Sequence, residues 1–319
     1  MRHRMPSSPG DAGRRTEAPA TWNIYTFGCL RLLHGGHPYG ERLSRHSKAL
    51  IGLLVLRRGR NVRREEIVDA LWSADYDKEH QRRLSTILWR LKNASDRDGR
   101  GIHVSMLHVD RNGDVRIEPD AYTWIDLAEF DSILHGVPVP PRDLGLYDLK
   151  LIEKAVALYR GDLLQDVDAQ WAAETRDHAR QCCLDMLQIL IEHYARTQQL
   201  DKVAAYAERF IEIDPYVDNV HLALINAYLL GGRRALAASR AARCQRLIVD
   251  DLGIALTPEI NTLLTALLPN RSARPPRDVL SVRSRRRRDS IEPLLSSLFR
   301  LRTTCMALLD ELQKIDAAR

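Results

Sequence analysis

The clearest hydrophobic pattern in the chain lies between Lys78 and Asn93. Its aliphatic residues recur at intervals of three and four, which places them on one side of an α-helix. They are Leu84, Ile87, Leu88 and Leu91. The opposite side of this helix carries mostly cationic and polar groups, namely Arg82, Arg83, Thr86, Trp89, Arg90 and Asn93. We expect the aliphatic side to pack on a core and the cationic side to face solvent or a partner.

A cationic face of this composition is suited to the major groove of DNA. An arginine can bind guanine with two hydrogen bonds, an asparagine can bind adenine, and arginine, threonine or tryptophan can also hold phosphate. The alternative is an ordinary solvated helix, because most basic helical faces bind nothing. We interpret the six side chains as candidate base-facing residues, and the neighbouring segments favour that interpretation.

The segments on either side of this helix follow the order of a winged helix-turn-helix. Strand-like residues at 23–33 precede a helix that begins near Ser44, a suitable N-cap, and a second helix with the sequence REEIVDALW. After the cationic helix, apolar residues alternate on both sides of Asn112 and Gly113, which favours a two-residue hairpin turn at these positions. In this arrangement the third helix enters the major groove and the hairpin, or wing, lies along the DNA backbone. Four basic residues are candidates for phosphate contacts: Arg45, Lys48, Lys92 and Arg111.

From residue 124 the pattern becomes helical and repeats itself. Tyr194 and Tyr228 lie 34 residues apart in two similar helical hairpins, and Ala207 and Ala241 follow them at equal distances. A helix–turn–helix period of 34 residues is typical of tetratricopeptide repeats, whose stacked hairpins form a curved surface for peptides or proteins. A purely structural solenoid is the alternative.

Two sets of motifs resemble one known family. RREEIVDALW followed by ILWRLK is similar to the OmpR-type winged helix, although Trp89 replaces the small polar residue usual there. YRGDLL, IDPYVDNVHLALINAYLLGGRRALAA and VDDLGIALTPEI resemble the bacterial transcriptional activation domain of the Streptomyces antibiotic regulatory proteins. The resemblance covers residues 22–269. It implies a transcription activator that binds direct repeats near a promoter and recruits RNA polymerase, with the acidic loop at 73–79 facing the polymerase.

The charge distribution separates the two regions. Residues 22–120 hold 18 Lys and Arg against 13 Asp and Glu, whereas residues 121–269 hold 14 against 21. The first region therefore attracts phosphate and the second repels it. Residues 1–20 are predicted to be disordered, and residues 270–290 to form an arginine-rich linker that lies on phosphate or is only a spacer. From Ile291 onward the apolar positions follow a heptad, which favours a coiled coil between two copies over a helix packed on the repeats.

The sequence indicates neither an enzyme nor a membrane protein. It contains no nucleotide-binding glycine motif, no catalytic constellation and no apolar run of about 20 residues. Cys29, His34 and His37 lack a fourth zinc ligand, and the five scattered cysteines suit a reducing cytosol. We expect no enzymatic activity, no cofactor and no metal, and a location in the cytoplasm on the nucleoid.

The predicted fold class is mainly α with a small β component. It comprises an OmpR-like winged helix-turn-helix at 21–120, an all-α tetratricopeptide-like domain at 121–269 and a coiled-coil-like helix at 291–319. The predicted function is a sequence-specific activator that binds double-stranded DNA, contacts RNA polymerase and forms a homodimer or a side-by-side dimer on DNA. Two alternatives stay open: a repeat scaffold or ligand sensor whose winged helix contacts protein, and a DNA-binding repressor.

Overall fold

The fold begins with a small sheet and three helices and continues as helices alone. The computed structural model describes residues 22–39, 43–73, 76–92, 106–117, 123–137, 145–251, 253 and 258–267. The strands are β1 (Trp22–Tyr25), β2 (Arg31–His34), β3 (His37–Tyr39), β4 (His108–Val109), β5 (Val115–Arg116) and β6 (Thr123–Ile125). The first helices are α1 (Arg45–Leu56), α2 (Arg64–Trp72), α3 (Lys78–Lys92), α4 (Asp126–Gly136) and α5 (Leu146–Leu158). The later helices are α6 (Ala173–Arg196), α7 (Leu200–Ile213), α8 (Asp218–Leu230), α9 (Arg234–Gln245) and α10 (Pro258–Leu267). The predicted fold class, mainly α with a small β component followed by a helical repeat-like domain, is confirmed for the described residues.

The N-terminal sheet has four strands in the order β3-β2-β1-β6. β1 pairs antiparallel with β2, with Tyr25 opposite Arg31, and parallel with β6, with Ile24 opposite Ile125. β6 therefore completes the sheet of the winged helix, although the sequence-based division at 120 assigns this strand to the repeat region. The two regions share an element rather than meeting at a linker.

The strand-like run at 23–33 is interrupted between β1 and β2. Gly28 adopts a φ of +85°, a conformation that glycine accepts without steric cost. Its N–H donates to Asp162 O over 3.0 Å, and Gln165 N donates to Gly28 O over 3.0 Å. Between β1 and β2 the backbone is thus hydrogen-bonded to a much later part of the chain, at Asp162 and Gln165.

The helices of the winged helix begin and end close to the predicted positions. Ser44 caps α1 by accepting a hydrogen bond from Ser47 N over 3.1 Å, and Gly59 ends the turn after α1 with a φ of +83°. Leu50 and Leu54 of α1 are fully buried. The aliphatic spacing therefore locates both the helix and the side on which it packs.

The wing is a two-stranded sheet, but the two-residue turn predicted at Asn112 and Gly113 is wrong. Asp110 Oδ1 accepts hydrogen bonds from Asn112 N and Asp114 N, both over 2.9 Å, so the turn is centred on Arg111 and Asn112. Gly113 follows the turn with a φ of +88°. The carboxylate of Asp110 satisfies the turn amides and selects the longer loop.

The later helices stack as consecutive hairpins, α4/α5, α6/α7 and α8/α9, followed by α10. Tyr194 OH of α6 donates to Glu153 on α5 over 2.7 Å, and Tyr228 OH of α8 donates to Glu208 on α7 over 2.6 Å. Each tyrosine thus ties its hairpin to the preceding one. The small residues Ala207 and Ala241 are fully buried where the helices cross. The 34-residue repeat read from the sequence corresponds to this stack.

Residues 1–20, the linker at 270–290 and the heptad segment at 291–319 lie outside the described residues. Within the described part, none of the helices combines the length and apolar character that a membrane span requires.

Candidate nucleic-acid interface

α3 separates its side chains as its periodicity predicts. Its four aliphatic residues, Leu84, Ile87, Leu88 and Leu91, are at most 8% exposed. The residues on the other side are exposed to solvent: Arg82, Arg83, Thr86, Trp89, Arg90 and Lys92. Asn93 lies outside the described residues. The core therefore fixes the rotation of the helix and directs its cationic side outward.

The exposed side chains of α3 differ in how far they are already engaged. Arg83 forms an ion pair with Glu79 one turn earlier, and the Thr86 hydroxyl donates to Arg82 O over 2.9 Å. Among the described residues, the guanidinium groups of Arg82 and Arg90 form no ion pair. Trp89 is 66% exposed and fills no core position. Arg82 and Arg90 are thus the side chains with the most uncommitted hydrogen-bond donors.

The start of α3 is fixed by Asp77. Its carboxylate accepts hydrogen bonds from His80 N over 2.8 Å and from His80 Nδ1 over 2.9 Å. The hydrogen bond from His80 N lowers the pKa of Asp77 below its ordinary value. The His80 ring also contacts Trp72 at the end of α2, with 5.6 Å between ring centroids. The turn between the two helices is therefore held by side chains of both.

The wing is fastened to the rest of the winged helix at two points. Val62 N donates to Val115 O over 2.8 Å, and Val115 N donates to Val62 O over 3.0 Å. Arg64, the first residue of α2, donates from Nε to Gly113 O over 3.0 Å and from Nη1 to Ser85 Oγ of α3 over 3.2 Å. One arginine thus joins the wing turn to α3, so that their relative position is set by a shared side chain.

The four candidate phosphate ligands fall into two groups. Arg111 in the wing turn and Lys92 at the end of α3 are exposed. Lys48 is half-buried and donates to Asp166 over 2.5 Å, and Arg45 pairs with Asp168 over 3.3 Å. The structure therefore places the two α1 residues against carboxylates of the repeat side, an arrangement that favours an interdomain role for them over a phosphate contact.

These carboxylates belong to the stretch between α5 and α6, residues 159–172, which we call the junction segment. Its backbone continues the edge of the winged helix: Leu164 N donates to Thr26 O over 2.8 Å, and Leu163 forms an antiparallel bridge with Phe27. Both leucines are fully buried. The junction segment is thus built into the winged helix rather than laid over it.

Side-chain contacts also join the winged helix to the junction segment and to α4, and we call this contact region the seam. Trp171 Nε1 donates to Ala70 O of α2 over 3.2 Å. The Phe27 ring lies between two others, with centroids 5.0 Å from Phe130 of α4 and 5.1 Å from Tyr159 of the junction segment. Hydrogen bonds and ring contacts therefore join α2, α4 and the loop after β1 to the repeat region.

Two carboxylates of α4 complete the seam. Asp126 accepts hydrogen bonds from Thr26 N over 2.8 Å, from Thr26 Oγ1 over 2.6 Å and from Phe27 N over 3.1 Å. Asp131 forms an ion pair with Arg58 after α1. Burial raises the pKa of both carboxyl groups above its ordinary value, while their hydrogen-bond and ion-pair partners act to lower it. These groups are satisfied internally and serve the fold.

Sequence reasoning did not identify the junction segment as a structural element. YRGDLL within it contributed only to the family resemblance, and its partners lie more than 100 positions away in the chain, as for Trp171 and Ala70. The YRGDLL motif was the one signal for this segment in the sequence, because no local helix or strand pattern explains charged and glycine residues ahead of a helical repeat.

No group of three or more histidine, cysteine or acidic side chains is arranged to hold a metal ion in the described part of the chain. Cys182, Cys183 and Cys244 are buried, and burial raises the pKa of the Cys183 thiol to about 12. These thiols are core side chains.

Comparison with known proteins identifies the repeat region. The family model described as "Bacterial transcriptional activator domain" matches residues 148–268, which run from α5 to α10. Residues 148–268 are therefore similar to a bacterial transcriptional activator domain, and we call this region the activator domain. This domain includes the junction segment, so the seam described above joins the activator domain to the winged helix.

A curated relative and a solved structure extend the comparison beyond the activator domain. The regulatory protein AfsR of Streptomyces coelicolor is 25% identical over 240 residues, which are 72% of this chain and 23% of AfsR. The chain therefore spans less than a quarter of the length of that relative. The structure of Mycobacterium tuberculosis EmbR in complex with a low-affinity phosphopeptide matches with a TM-score of 0.56 and 22% identity, over 78% of this chain and 65% of EmbR. The EmbR match supports the fold, and together the comparisons support a regulator of the Streptomyces antibiotic regulatory protein type.

Proposed function

We propose that this transcriptional regulator is a sequence-specific activator that reads promoter DNA with α3. The observation that carries the proposal is the pinning of α3 by four buried aliphatic residues, which leaves Arg82 and Arg90 exposed and without an ion pair among the described residues. Arg64 joins this helix to the wing turn, where Arg111 is exposed. A third helix and a wing held at a fixed relative position suit simultaneous contact with the major groove and the backbone.

RNA polymerase is the second partner that we propose. The family resemblance suggests that the turn between α2 and α3 faces the polymerase, and Asp77 in that turn and Glu79 in the first turn of α3 give this region acidic character. Of these, Asp77 is committed to capping α3, and Glu79 to the ion pair with Arg83. The activator domain provides a second surface for protein contacts, since stacked helical hairpins commonly bind peptides.

We further propose that two copies bind side by side on direct repeats, or as a homodimer through the heptad segment at 291–319. Removal of residues 291–319 is the direct test. Sedimentation equilibrium is expected to show a monomer for the shortened chain and a dimer for the full chain. A shortened chain that stays dimeric would show that the dimer contact lies outside residues 291–319.

A promoter-binding activator acts on the nucleoid in the cytoplasm, and this is the location that we propose.

Genome-wide selection of bound DNA with the full chain tests the proposal for α3. The full chain is needed because a fragment ending at residue 120 would lack β6 and the junction segment. Once a motif is known, Arg82→Gln and Arg90→Gln are compared with the unchanged protein on the motif and on random DNA. Loss of a base contact is expected to cost about 1–3 kcal/mol on the motif and much less on random DNA.

Arg234→Gln is the matched control, because Arg234 is an exposed arginine at the start of α9 in the activator domain. It is expected to leave binding unchanged. Equal losses on motif and random DNA for Arg82 and Arg90 would make them phosphate ligands, with a shallower salt dependence. Absence of any enriched motif would favour the scaffold alternative, and reduced expression from a reporter promoter would favour a repressor.

A further inference from the structure

The N-terminal sheet has an outer face that the winged-helix core does not use. Trp22, Ile24 and Leu32 point inward and are at most 2% exposed. The alternate residues of the same strands share the outer face and are half-buried or exposed: Asn23, Tyr25, Arg31, Leu33 and Trp124. Aromatic and cationic side chains are concentrated there.

Tyr25 is the centre of this face. The Arg31 guanidinium, from the opposite strand, has its Cζ 5.3 Å from the Tyr25 ring centroid, and the Arg160 guanidinium has its Cζ 4.9 Å from it. The same ring packs edge-to-face with the Trp124 ring, with 5.3 Å between centroids and 63° between planes. We call Tyr25, Arg31, Arg160 and Trp124 the tyrosine clamp. Stacking on an aromatic ring holds a guanidinium in place and leaves its N–H groups available for a partner.

The clamp is assembled from both parts of the chain. Tyr25 and Arg31 belong to the winged helix, whereas Arg160 belongs to the junction segment. The backbone fixes Arg160 closely: next to it, a Cβ at Gly161 would lie 3.3 Å from the Cα of Gly28, and Gly28 N is bonded to Asp162 O. The two arginines therefore converge only where the activator domain is docked on the sheet.

The cations of the clamp lack a countercharge in the described part of the chain. Both arginines are exposed, and neither forms an ion pair with a carboxylate among the described residues. Guanidinium groups that are held by stacking and left unpaired suit carboxylates, which they bind with paired hydrogen bonds. At Tyr25 a nucleobase is a poorer fit, because two guanidinium groups already lie over its ring.

We propose that the tyrosine clamp binds an acidic segment of a protein partner, with one carboxylate on each arginine. Each guanidinium Cζ lies within 5.3 Å of the Tyr25 ring centroid, and alternate residues of an extended segment lie on one side about 7 Å apart, so one such segment can present a carboxylate to each cation. The clamp is on the outer face of the sheet, and α3 contributes its aliphatic residues to the core, so the two surfaces are separate. The proposal does not depend on the reading of bases by α3.

The test uses the full chain and a fluorescein-labelled ten-residue peptide of alternating Glu and Ser, with the Gln and Ser peptide as its neutral counterpart. Fluorescence anisotropy is expected to show binding of the acidic peptide alone. Arg31→Gln and Arg160→Gln are each expected to weaken it by roughly fivefold or more, and Arg234→Gln on α9 to change it little. Tyr25→Leu keeps the net charge and removes the stacking surface, so it is expected to weaken binding as the arginine variants do. Thermal unfolding of each variant shows that the fold is kept.

Four outcomes would overturn the proposal. Equal effects of all three arginine variants would mean that the peptide responds only to net charge, and an unchanged affinity of Tyr25→Leu would mean that the ring has no part. Displacement of the peptide by an equal concentration of a ten-nucleotide single strand would make the clamp a phosphate surface. A several-fold gain in affinity on removal of residues 1–20, which contain Asp11 and Glu17, would make that segment the occupant instead.

Discussion

Gly52 of α1 lies directly against Leu164 of the junction segment. A Cβ at position 52 would lie 2.8 Å from Leu164 Cδ1, and 3.5 Å from the Trp171 ring. Leu164 is fully buried and adopts a φ of +51°, a conformation that is uncommon for a branched residue. At Gly52 the seam between the winged helix and the activator domain is therefore packed so closely that an added Cβ would displace the Leu164 side chain.

Gly52→Ala is expected to destabilise the protein by about 1–3 kcal/mol, because the added methyl group would overlap Leu164 Cδ1 and the side chain of this fully buried residue would have to shift. Thermal and denaturant unfolding measure the loss. Gly136→Ala is the control, since a Cβ at Gly136 has no atom within 4 Å and Gly136 is exposed. Equal stability of the two variants would show that the seam yields readily at Leu164.

Asp166→Ala is expected to cost about 1–3 kcal/mol of stability, because it removes two partners at once. Asp166 Oδ1 accepts from Leu30 N over 2.8 Å, and its Oδ2 accepts from Lys48 Nζ over 2.5 Å. Lys48→Met is expected to cost less, since Leu30 N keeps its acceptor. Arg45→Gln, which removes an exposed pair, is the control and is expected to change the free energy of unfolding by less than about 1 kcal/mol. A Lys48 variant that keeps full stability but loses affinity for random DNA would instead support a phosphate contact.

Arg64→Ala is expected to weaken motif binding and to lower the free energy of unfolding by at most about 2 kcal/mol, because it releases the wing turn from α3 without opening the core. The side chain donates to Gly113 O in a part-buried hydrogen bond and to Ser85 Oγ in an exposed one, and the loss of each costs about 1 kcal/mol or less. Anisotropy titrations on motif DNA and thermal unfolding are measured together. Arg60→Ala, at an exposed pair with Glu66, serves as the comparison. If both variants bind equally well, the wing does not depend on Arg64.

His221 of α8 gives the activator domain a dependence on pH. Burial lowers the pKa of His221 below 6.5, with Arg240 and Arg243 acting in the same direction. Its Nε2 lies 2.9 Å from Pro215 O. Because the unfolded chain takes up the proton first, the contribution of His221 is present above pH 6.5 and is lost as the pH falls from there toward its lower folded pKa.

His221→Gln is therefore expected to reduce the drop in melting temperature between pH 7.5 and about pH 6, a range in which an unperturbed histidine titrates. Glutamine can still donate to Pro215 O. His37→Gln, at an exposed position on β3, is expected to leave the drop as it is. If the His221→Gln variant keeps the full drop in melting temperature, other groups cause the pH dependence.

The sequence predicts the helices well, because the spacing of apolar residues within each helix indicates its buried side. In α3, Leu84 and Leu91 are seven residues apart on the buried side, and that spacing is visible without any partner. The repeat is also visible in the sequence, because Tyr194 and Tyr228 occupy equivalent positions in successive hairpins. In the structure each of them donates to a glutamate of the preceding hairpin. Local periodicity is enough for such elements.

The seam is hidden from the sequence because its contacts join distant residues of unremarkable type. Lys48 stands in a basic region and looks like a phosphate ligand, yet its partner Asp166 is 118 positions away. The strand β6 has three residues and no turn signal of its own, so its place beside β1 follows only from the tertiary structure. Gly52 gives no local reason for the absence of a side chain.

The seam also limits how this kind of regulator can diversify. A recombination event near residue 120 would separate β1 from β6 and expose Phe27. A DNA-binding domain from another protein, joined to this activator domain, would need glycines at the positions that contact Gly161 and Leu164. New promoter preferences are therefore expected to evolve by single replacements on the exposed side of α3, while the two halves are inherited as one piece.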